Sequence, residues 1–406
     1  MNTDWKRNAT LFLASQTISL FGTALVQYAI TWSITLETQS GVMVALSIIC
    51  GFLPTFFLSP FSGVWADRYP RKTLIILADS LIAVATLVLA VLFKLGYGSI
   101  WMLLAISAVR ATGSGIQAPA VGAFLPQFVP EDKLMKVNSA NSSIQSLVML
   151  VSPMVSGALM TKATLEAILL IDVVTAAIAV LILAVFLRVP AHAKASGGQP
   201  GGYMKDLREG FAYIKRHDYI LRYFLFCVGF FILSGPVAFL TPLQVARTFG
   251  EDVWRLSAIE VTFSVGMMLG GTIMAVWGGL KNKVHTMGLS YIVVGLFTLA
   301  LGIVPVFWVY LAFMALIGVA IPAFNTPAIV LLQQKVEDSF RGRVFGVRGM
   351  LSSSMMPLGM LIFGPIADAV RIEWLLIGTG LAMSIMGLLM LGDRVMIEAG
   401  RPATGA

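Results

Sequence analysis

Apolar residues run along this chain in long blocks, separated by short polar or charged stretches. Twelve blocks lie at about 9–36, 42–66, 73–93, 99–124, 138–161, 164–187, 220–246, 257–280, 284–304, 306–332, 344–367 and 372–392. Each is long enough to supply the ~20 apolar residues that a helix needs to cross a hydrocarbon core. Helix is the expected state, because the blocks are uninterrupted. A membrane barrel would show short segments of alternating polarity instead. The first block is too long for the apolar region of a signal peptide, and no small-residue cleavage motif follows it, so it reads as the first span. The pattern predicts an all-α membrane protein with twelve transmembrane helices.

Composition explains why the pattern has no soluble alternative. The chain is 58% hydrophobic and only 12% charged, against roughly 25% charged in soluble proteins. A soluble domain this apolar could not cover its surface. The net charge of +8 is a topology signal. With the N-terminus inside, 22 of the 28 lysines and arginines fall on the cytoplasmic side, as the positive-inside rule expects. Lys94, Lys162, Arg247, Arg255 and Arg371 fall outside, and Arg110 lies within a span. Both termini are then cytoplasmic. The basic residues are spread over several loops, so no nucleic-acid partner is implied.

The longest polar stretch, about 190–217, divides six spans from six. Its first part is rich in Gly and Ser and reads as a linker. Met204 to Arg216 reads as an amphipathic helix on the inner membrane face. The expected division is an N-terminal bundle at 1–189, a linker at 190–217 and a C-terminal bundle at 218–406. The halves echo each other. QAPAVGAFLPQFVPEDKLMKVNS (Gln117–Ser139) and NTPAIVLLQQKVEDSFRGRVFG (Asn325–Gly346) each carry a Pro followed by Ala, an apolar stretch, an acidic pair and a basic residue. Parallel six-helix repeats of this kind place a substrate site between two pseudo-symmetric bundles.

The residues that carry chemistry are few. Cys50 and Cys227 lack metal spacing and read as buried, inert thiols. His192, His217 and His285 lie near loops and form no catalytic or metal constellation. No phosphate-binding Walker sequence is present, so ATP hydrolysis is not expected; no cofactor is implied. An ionisable residue inside a span is costly and functional by default. Arg110, in RATGSG of span four, is the clearest case, although it could form a structural ion pair with an interior carboxylate. The carboxylates able to carry a proton are Asp79 in span three, Asp172 in span six, Glu260 in span eight and Glu37 at the end of span one. Asp79 or Asp172 could instead be paired structurally. Span one carries a polar stripe of Gln16, Ser19, Thr23, Gln27 and Thr31, spaced to share one helical face. Span five repeats it with Asn138, Asn141, Ser142 and Gln145. Such residues either line a cavity or hold helices together. In span seven, Tyr223, Phe226, Phe230 and Phe231 offer an aromatic surface that, with the 21 methionines, suits a broad apolar substrate.

The loop between spans two and three reads GVWADRYPRKT (Gly63–Thr73), a G-x-x-x-D-R-x-x-R-K pattern. Gly63 would let another helix come close. Arg68, Arg71 and Lys72 would hold the loop at the inner surface, and Asp67 stands at a helix end, where it can meet an Arg or a helix N-terminus. This loop resembles the signature of the major facilitator superfamily, with Pro70 where that family usually has Gly. The resemblance implies the major facilitator fold, one state of whose alternating-access cycle is favoured by contact between this loop and span eleven. Asp67 would then meet the start of span eleven, which carries Arg343 and Arg348. The corresponding loop of the second half, GGLKNKVH, has no acid, so one latch is expected. The R-x-x-G-x-G of span four and SPMVSG (Ser152–Gly157) of span five resemble motifs of the drug:proton antiporters, in which the span-four Arg is associated with proton coupling.

QTISLFGTALVQYAI, GFLPTFFLSPFSGVWADR and SPMVSGAL make the chain similar to the macrolide-efflux group, with siderophore exporters nearby. The resemblance implies export of amphipathic, macrolide-like compounds in exchange for protons, by a monomer in a bacterial cytoplasmic (inner) membrane. Its partners would be the small amphipathic substrate and membrane lipid. Export of an endogenous metabolite such as a siderophore is the alternative. A non-transporting membrane sensor would need an appended signalling domain, and none is visible.

Overall fold

The computed structural model describes residues 5–187, 189 and 202–401, side chains excepted at 60, 67 and 202–206. The described residues are helical throughout, apart from turns and short connections. The first half holds α1 (Trp5–Thr38), α2 (Gly41–Arg68), α3 (Arg71–Lys94), α4 (Ile100–Phe124), α5 (Glu131–Met160) and α6 (Leu165–Leu181). The second holds α7 (Gly202–Arg216), α8 (Asp218–Leu233), α9 (Gly235–Phe239), α10 (Thr241–Phe249), α11 (Val253–Trp277), α12 (Lys283–Leu301), α13 (Phe307–Lys335), α14 (Asp338–Ala369), α15 (Ile372–Gly392) and α16 (Arg394–Ala399).

Among the described residues, eleven helical stretches are long and apolar enough to cross a membrane, Asp218–Phe249 counted as one. The expected fourth span is the one that falls short, although α4 is a continuous helix. Arg110, Thr112, Ser114 and Gln117 dilute its apolar run. The seventh span, expected as one helix, is broken into α8, α9 and α10. Pro236 and Pro242 sit at the first turns of α9 and α10, where each lacks the N–H that would continue the preceding helix.

The chain forms two compact units. Unit one contains residues 1–38 and 46–200, and unit two contains Gln39–Ala45 with Gly201–Ala406. In unit one a cluster of Phe12, Ile75, Phe124, Val129 and Leu183 closes one end of the bundle. Phe12, Phe124 and Phe128 meet edge to face at 5.2–5.9 Å. After α6 the helix widens into a π turn, Ile182–Phe186. Such a turn leaves carbonyls without helical partners. The Nζ of Lys72 donates to two of them, Ala184 O at 3.2 Å and Leu187 O at 2.8 Å.

In unit two, α7 lies against α14. Gly210 approaches the Arg343 carbonyl, and Tyr213 stacks on Phe340 at 4.6 Å. Glu209 pairs with Arg343 at 3.2 Å. The amphipathic helix therefore buries Tyr213 and Ile214 against protein. The linker residues 190–201 lie outside the described residues. Cys227 is buried as expected, but Cys50 is partly exposed.

Close helix packing in unit two rests on small residues. A Cβ at Gly266 would stand 2.2 Å from the Ala315 carbonyl oxygen, and one at Gly270 would stand 2.3 Å from that of Val319. The G-x-x-x-G spacing thus lets α11 and α13 meet backbone to backbone. Gly270→Leu is expected to lose about 1–3 kcal/mol or more to overpacking, read as a lower unfolding temperature in detergent. The adjacent Gly271 has no atom within 4 Å of its built Cβ, so Gly271→Leu should leave that temperature unchanged. Equal effects of the two would contradict the packing argument.

Candidate functional site

Four helices of unit one bring their few polar residues to one place. The first rung is an ion pair. The Nη1 of Arg110 on α4 donates to Oδ2 of Asp172 on α6, and both side chains are at most 2% exposed. The same Nη1 donates to Thr86 Oγ1 of α3 at 2.9 Å, and Nη2 donates to the Thr23 carbonyl of α1 at 2.9 Å. Thr23 Oγ1 donates to the other Asp172 oxygen at 3.3 Å. The charges are thus neutralised and held from three sides, which is what an apolar interior requires of them.

The second rung is a carboxylate without a cation. Asp79 on α3 accepts from Ser19 Oγ at 3.0 Å and from Gln117 Nε2 at 2.7 Å, both on Oδ1. Its Oδ2 is buried with no hydrogen-bond partner. No Lys or Arg reaches it among the described residues. Helical spacing makes the ladder. Ser19 and Thr23 are one turn apart on α1; Asp79 and Thr86, like Arg110 and Gln117, are two turns apart. Two turns are about 11 Å, so the carboxylates are successive stations along one polar line.

Glycines let these helices approach. A Cβ at Gly22 would stand 2.0 Å from Thr175 Oγ1 and 3.2 Å from Asp172 Oδ1. One at Gly113, the first glycine of RATGSG, would stand 2.5 Å from Ile82 of α3. The motif therefore supplies both the cation and the close contact that seats it. In SPMVSG, Ser156 Oγ donates to the Leu25 carbonyl at 3.0 Å, tying α5 to α1.

Other candidates are placed elsewhere. Glu37 is exposed one residue before the end of α1. Glu260 lies in α11 of unit two, and no hydrogen bond or ion pair reaches it among the described residues. Gln16 is partly buried with an unpartnered Nε2. Gln27 donates to Thr31 of its own helix at 3.4 Å. Asn138 and Gln145 are exposed and Asn141 is partly so. Phe226 is half-buried. Phe230 does not line a cavity as expected: it is 2% exposed, stacked on Phe324 at 4.0 Å with its edge against Tyr291.

The signature loop is held by its basic residues. Arg71 donates to the carbonyls of Ala66 at 2.9 Å and Ala123 at 2.7 Å, joining the ends of α2 and α4. Arg68 is exposed in the last turn of α2. Gly63 does not mediate a close contact among the described residues, because a Cβ there would meet nothing within 4 Å. Asp67's expected contact lies outside the described side chains. Arg348 lies ten residues into α14 and donates to Tyr223 and Asn325.

A family model described as Major Facilitator Superfamily matches residues 12–360. The chain belongs to the major facilitator superfamily. It is a transporter of that superfamily, with efflux proteins among its relatives. Macrolide efflux protein A of Streptococcus pyogenes is 28% identical over 385 residues, 94% of this chain and 95% of the relative. Multidrug efflux pump Tap of Mycobacterium bovis (strain BCG / Pasteur 1173P2) is 24% identical over 396 residues, 94% of this chain and 92% of the relative. The fold is also that of the nucleoside transporter NupG, whose crystal structure superposes with a TM-score of 0.72 at 14% identity, over 96% of this chain and 99% of that one.

Within this major facilitator chain, one cluster was not anticipated from the sequence. Asp368, at the C-terminal end of α14, accepts from Ser40 Oγ and the Gly41 amide, each at 2.7 Å, and from the Val42 amide at 3.0 Å. Arg247 pairs with it at 3.1 Å and donates to the carbonyls of Ala367 and Gln39. The carboxylate thus caps the first turn of α2 from another helix. Nothing local to the start of α2 names Asp368 as its cap.

Proposed function

We propose that this chain exports amphipathic, macrolide-like compounds in exchange for protons by alternating access. It works as a monomer in a bacterial cytoplasmic membrane, with both termini inside. Asp79 carries the reading: it is a buried carboxylate with one free oxygen, in the same polar line as the Arg110–Asp172 pair. Carboxylates inside a membrane mark proton pathways when they are not permanently paired. The efflux relatives support the choice of substrate class. In this reading Asp79 takes up a proton on Oδ2 when open to one side and releases it on the other, while Asp172 stays with Arg110.

The test is flux in proteoliposomes with erythromycin as substrate. Uptake into inside-out vesicles should follow an imposed pH gradient with acid inside and collapse with a protonophore. Uptake indifferent to the gradient would remove proton exchange from the proposal. No protein-dependent uptake of any amphipathic compound would remove export itself.

A further inference from the structure

Unit two treats the charge on its helices differently from unit one. An offset of 208 residues, taken from Pro119 to Pro327, carries Arg110, Asp172 and Asp79 onto Gly318, Gly380 and Met287. The paired rung has no counterpart at those positions. Unit two instead has Arg348, ten residues and about 15 Å along α14 from its start. Its Nε donates to the hydroxyl of Tyr223 on α8 at 3.2 Å, and its Nη2 to Oδ1 of Asn325 on α13 at 3.4 Å. Both acceptors are neutral. Tyr223 is fully buried and packs edge to face on Phe224 at 5.3 Å. One turn earlier on the same face of α8, Tyr219 has a buried hydroxyl with no partner.

A guanidinium has five N–H donors in a flat fork. Two are used here, and Nη1 makes no hydrogen bond among the described residues. No carboxylate lies within ion-pair distance of Arg348 among them either, and the side chain is only partly buried. Charges within spans are normally paired or face a water-filled space. Arg110 satisfies this rule with Asp172; Arg348 has positioning partners but no counter-ion among the described residues. The part of the fork left over suits two parallel bonds to a carboxylate. On α8 the half-buried Phe226 stands three residues after Tyr223, so helical spacing puts an apolar ring on the same face as the hydroxyl that holds Arg348.

We propose that Arg348, positioned by Tyr223 and Asn325, is a binding site for the carboxylate of an amphipathic organic anion. The inference rests on the exporter reading and extends its substrate class to molecules with an acidic group on an apolar body. Arg348 supplies the missing charge pairing only while such a molecule is bound.

The experiment is equilibrium binding to the full chain in lipid nanodiscs, with no gradient, so that it does not depend on transport. The probes are dansyl-tagged undecanoate and its uncharged primary amide, each corrected for empty nanodiscs. The wild type should bind the carboxylate about tenfold or more tighter than the amide, the scale of a charge-assisted pair. Arg348→Gln should lose that preference, and Arg348→Lys should keep part of it. Asn325→Asp keeps the cation but places a fixed anion beside it, so it too should lose the preference, even if Arg348→Gln fails to fold. Equal binding of acid and amide by the wild type would overturn the site, as would a preference retained in both Arg348→Gln and Asn325→Asp. Absence of flux with the preference intact would instead count against the exporter reading alone.

Discussion

Asp172→Asn and Arg110→Gln should each destabilise the protein strongly, by about 3–5 kcal/mol, the usual consequence of leaving one member of a buried ion pair alone. The geometry makes both cases severe. Arg110 is 2% exposed and Asp172 is not exposed at all, so neither can turn to water. Without Asp172, Arg110 would keep only Thr86 Oγ1 and the Thr23 carbonyl. Without Arg110, the Asp172 carboxylate would keep only hydroxyl donors, Thr23 at 3.3 Å and Thr86 at 3.5 Å. The double variant Arg110→Met/Asp172→Leu should behave differently. Replacing both charges by apolar groups of similar size is often neutral or stabilising, so it should unfold near the wild-type temperature. It should nevertheless fail to transport, because the polar line between the two carboxylates is gone. Unfolding temperature in detergent and flux in proteoliposomes read these two properties separately. A double variant that still transports at the wild-type rate would reduce the pair to scaffolding.

The class of fold was legible because the membrane writes it into composition. Runs of apolar residues longer than a bilayer leave helices as the expected solution, and α1, α2 and α3 fall where those runs lie. What the runs did not disclose is rotation about each helix axis. In lipid the outer face is as apolar as the packed face, so hydrophobic periodicity no longer marks the inside. Arg110, Asp172 and Asp79 were therefore recognisable as costly residues, but their pairing was not. Ser19 and Thr23 of the span-one stripe meet carboxylates, whereas Gln27 bonds within its own helix. Thr86 and Gln117 gave no signal, because neutral polar residues in spans also serve as ordinary helix contacts. Asp368 was missed for a related reason. Its partners Ser40, Gly41, Val42 and Arg247 are at least 121 residues away, and a cap assembled over such distances has no local pattern. The break of the seventh span was available in principle. Pro236 and Pro242 both stand inside the run 220–246, and each removes a backbone donor.

Asp79→Asn should fold and yet lose proton-driven export. The amide is nearly the same size as the carboxylate, and its oxygen can still accept from Ser19 and Gln117. The cost to stability is an NH₂ group in place of Oδ2, an atom buried without a partner, and should be about 1–3 kcal/mol for that unsatisfied donor. This is less than the loss expected for Asp172→Asn, because no cation is abandoned. The functional effect should be larger. An amide cannot carry a proton between the two sides, so accumulation against a gradient should fall to that of protein-free vesicles. Substrate exchange at equal pH on both sides, which needs no net proton movement, should persist. Asp79→Glu restores a carboxyl group and should recover part of the gradient-driven uptake. Loss of both activities in a well-folded Asp79→Asn would point to a cavity role instead, and full retention of gradient-driven uptake would clear Asp79 of proton transfer. Glu260→Gln then gives the decisive comparison. Glu260 is also without a hydrogen bond or ion pair among the described residues, but it belongs to the other unit. If proton movement runs along the polar line of unit one, Glu260→Gln keeps gradient-driven uptake and Asp79→Asn does not.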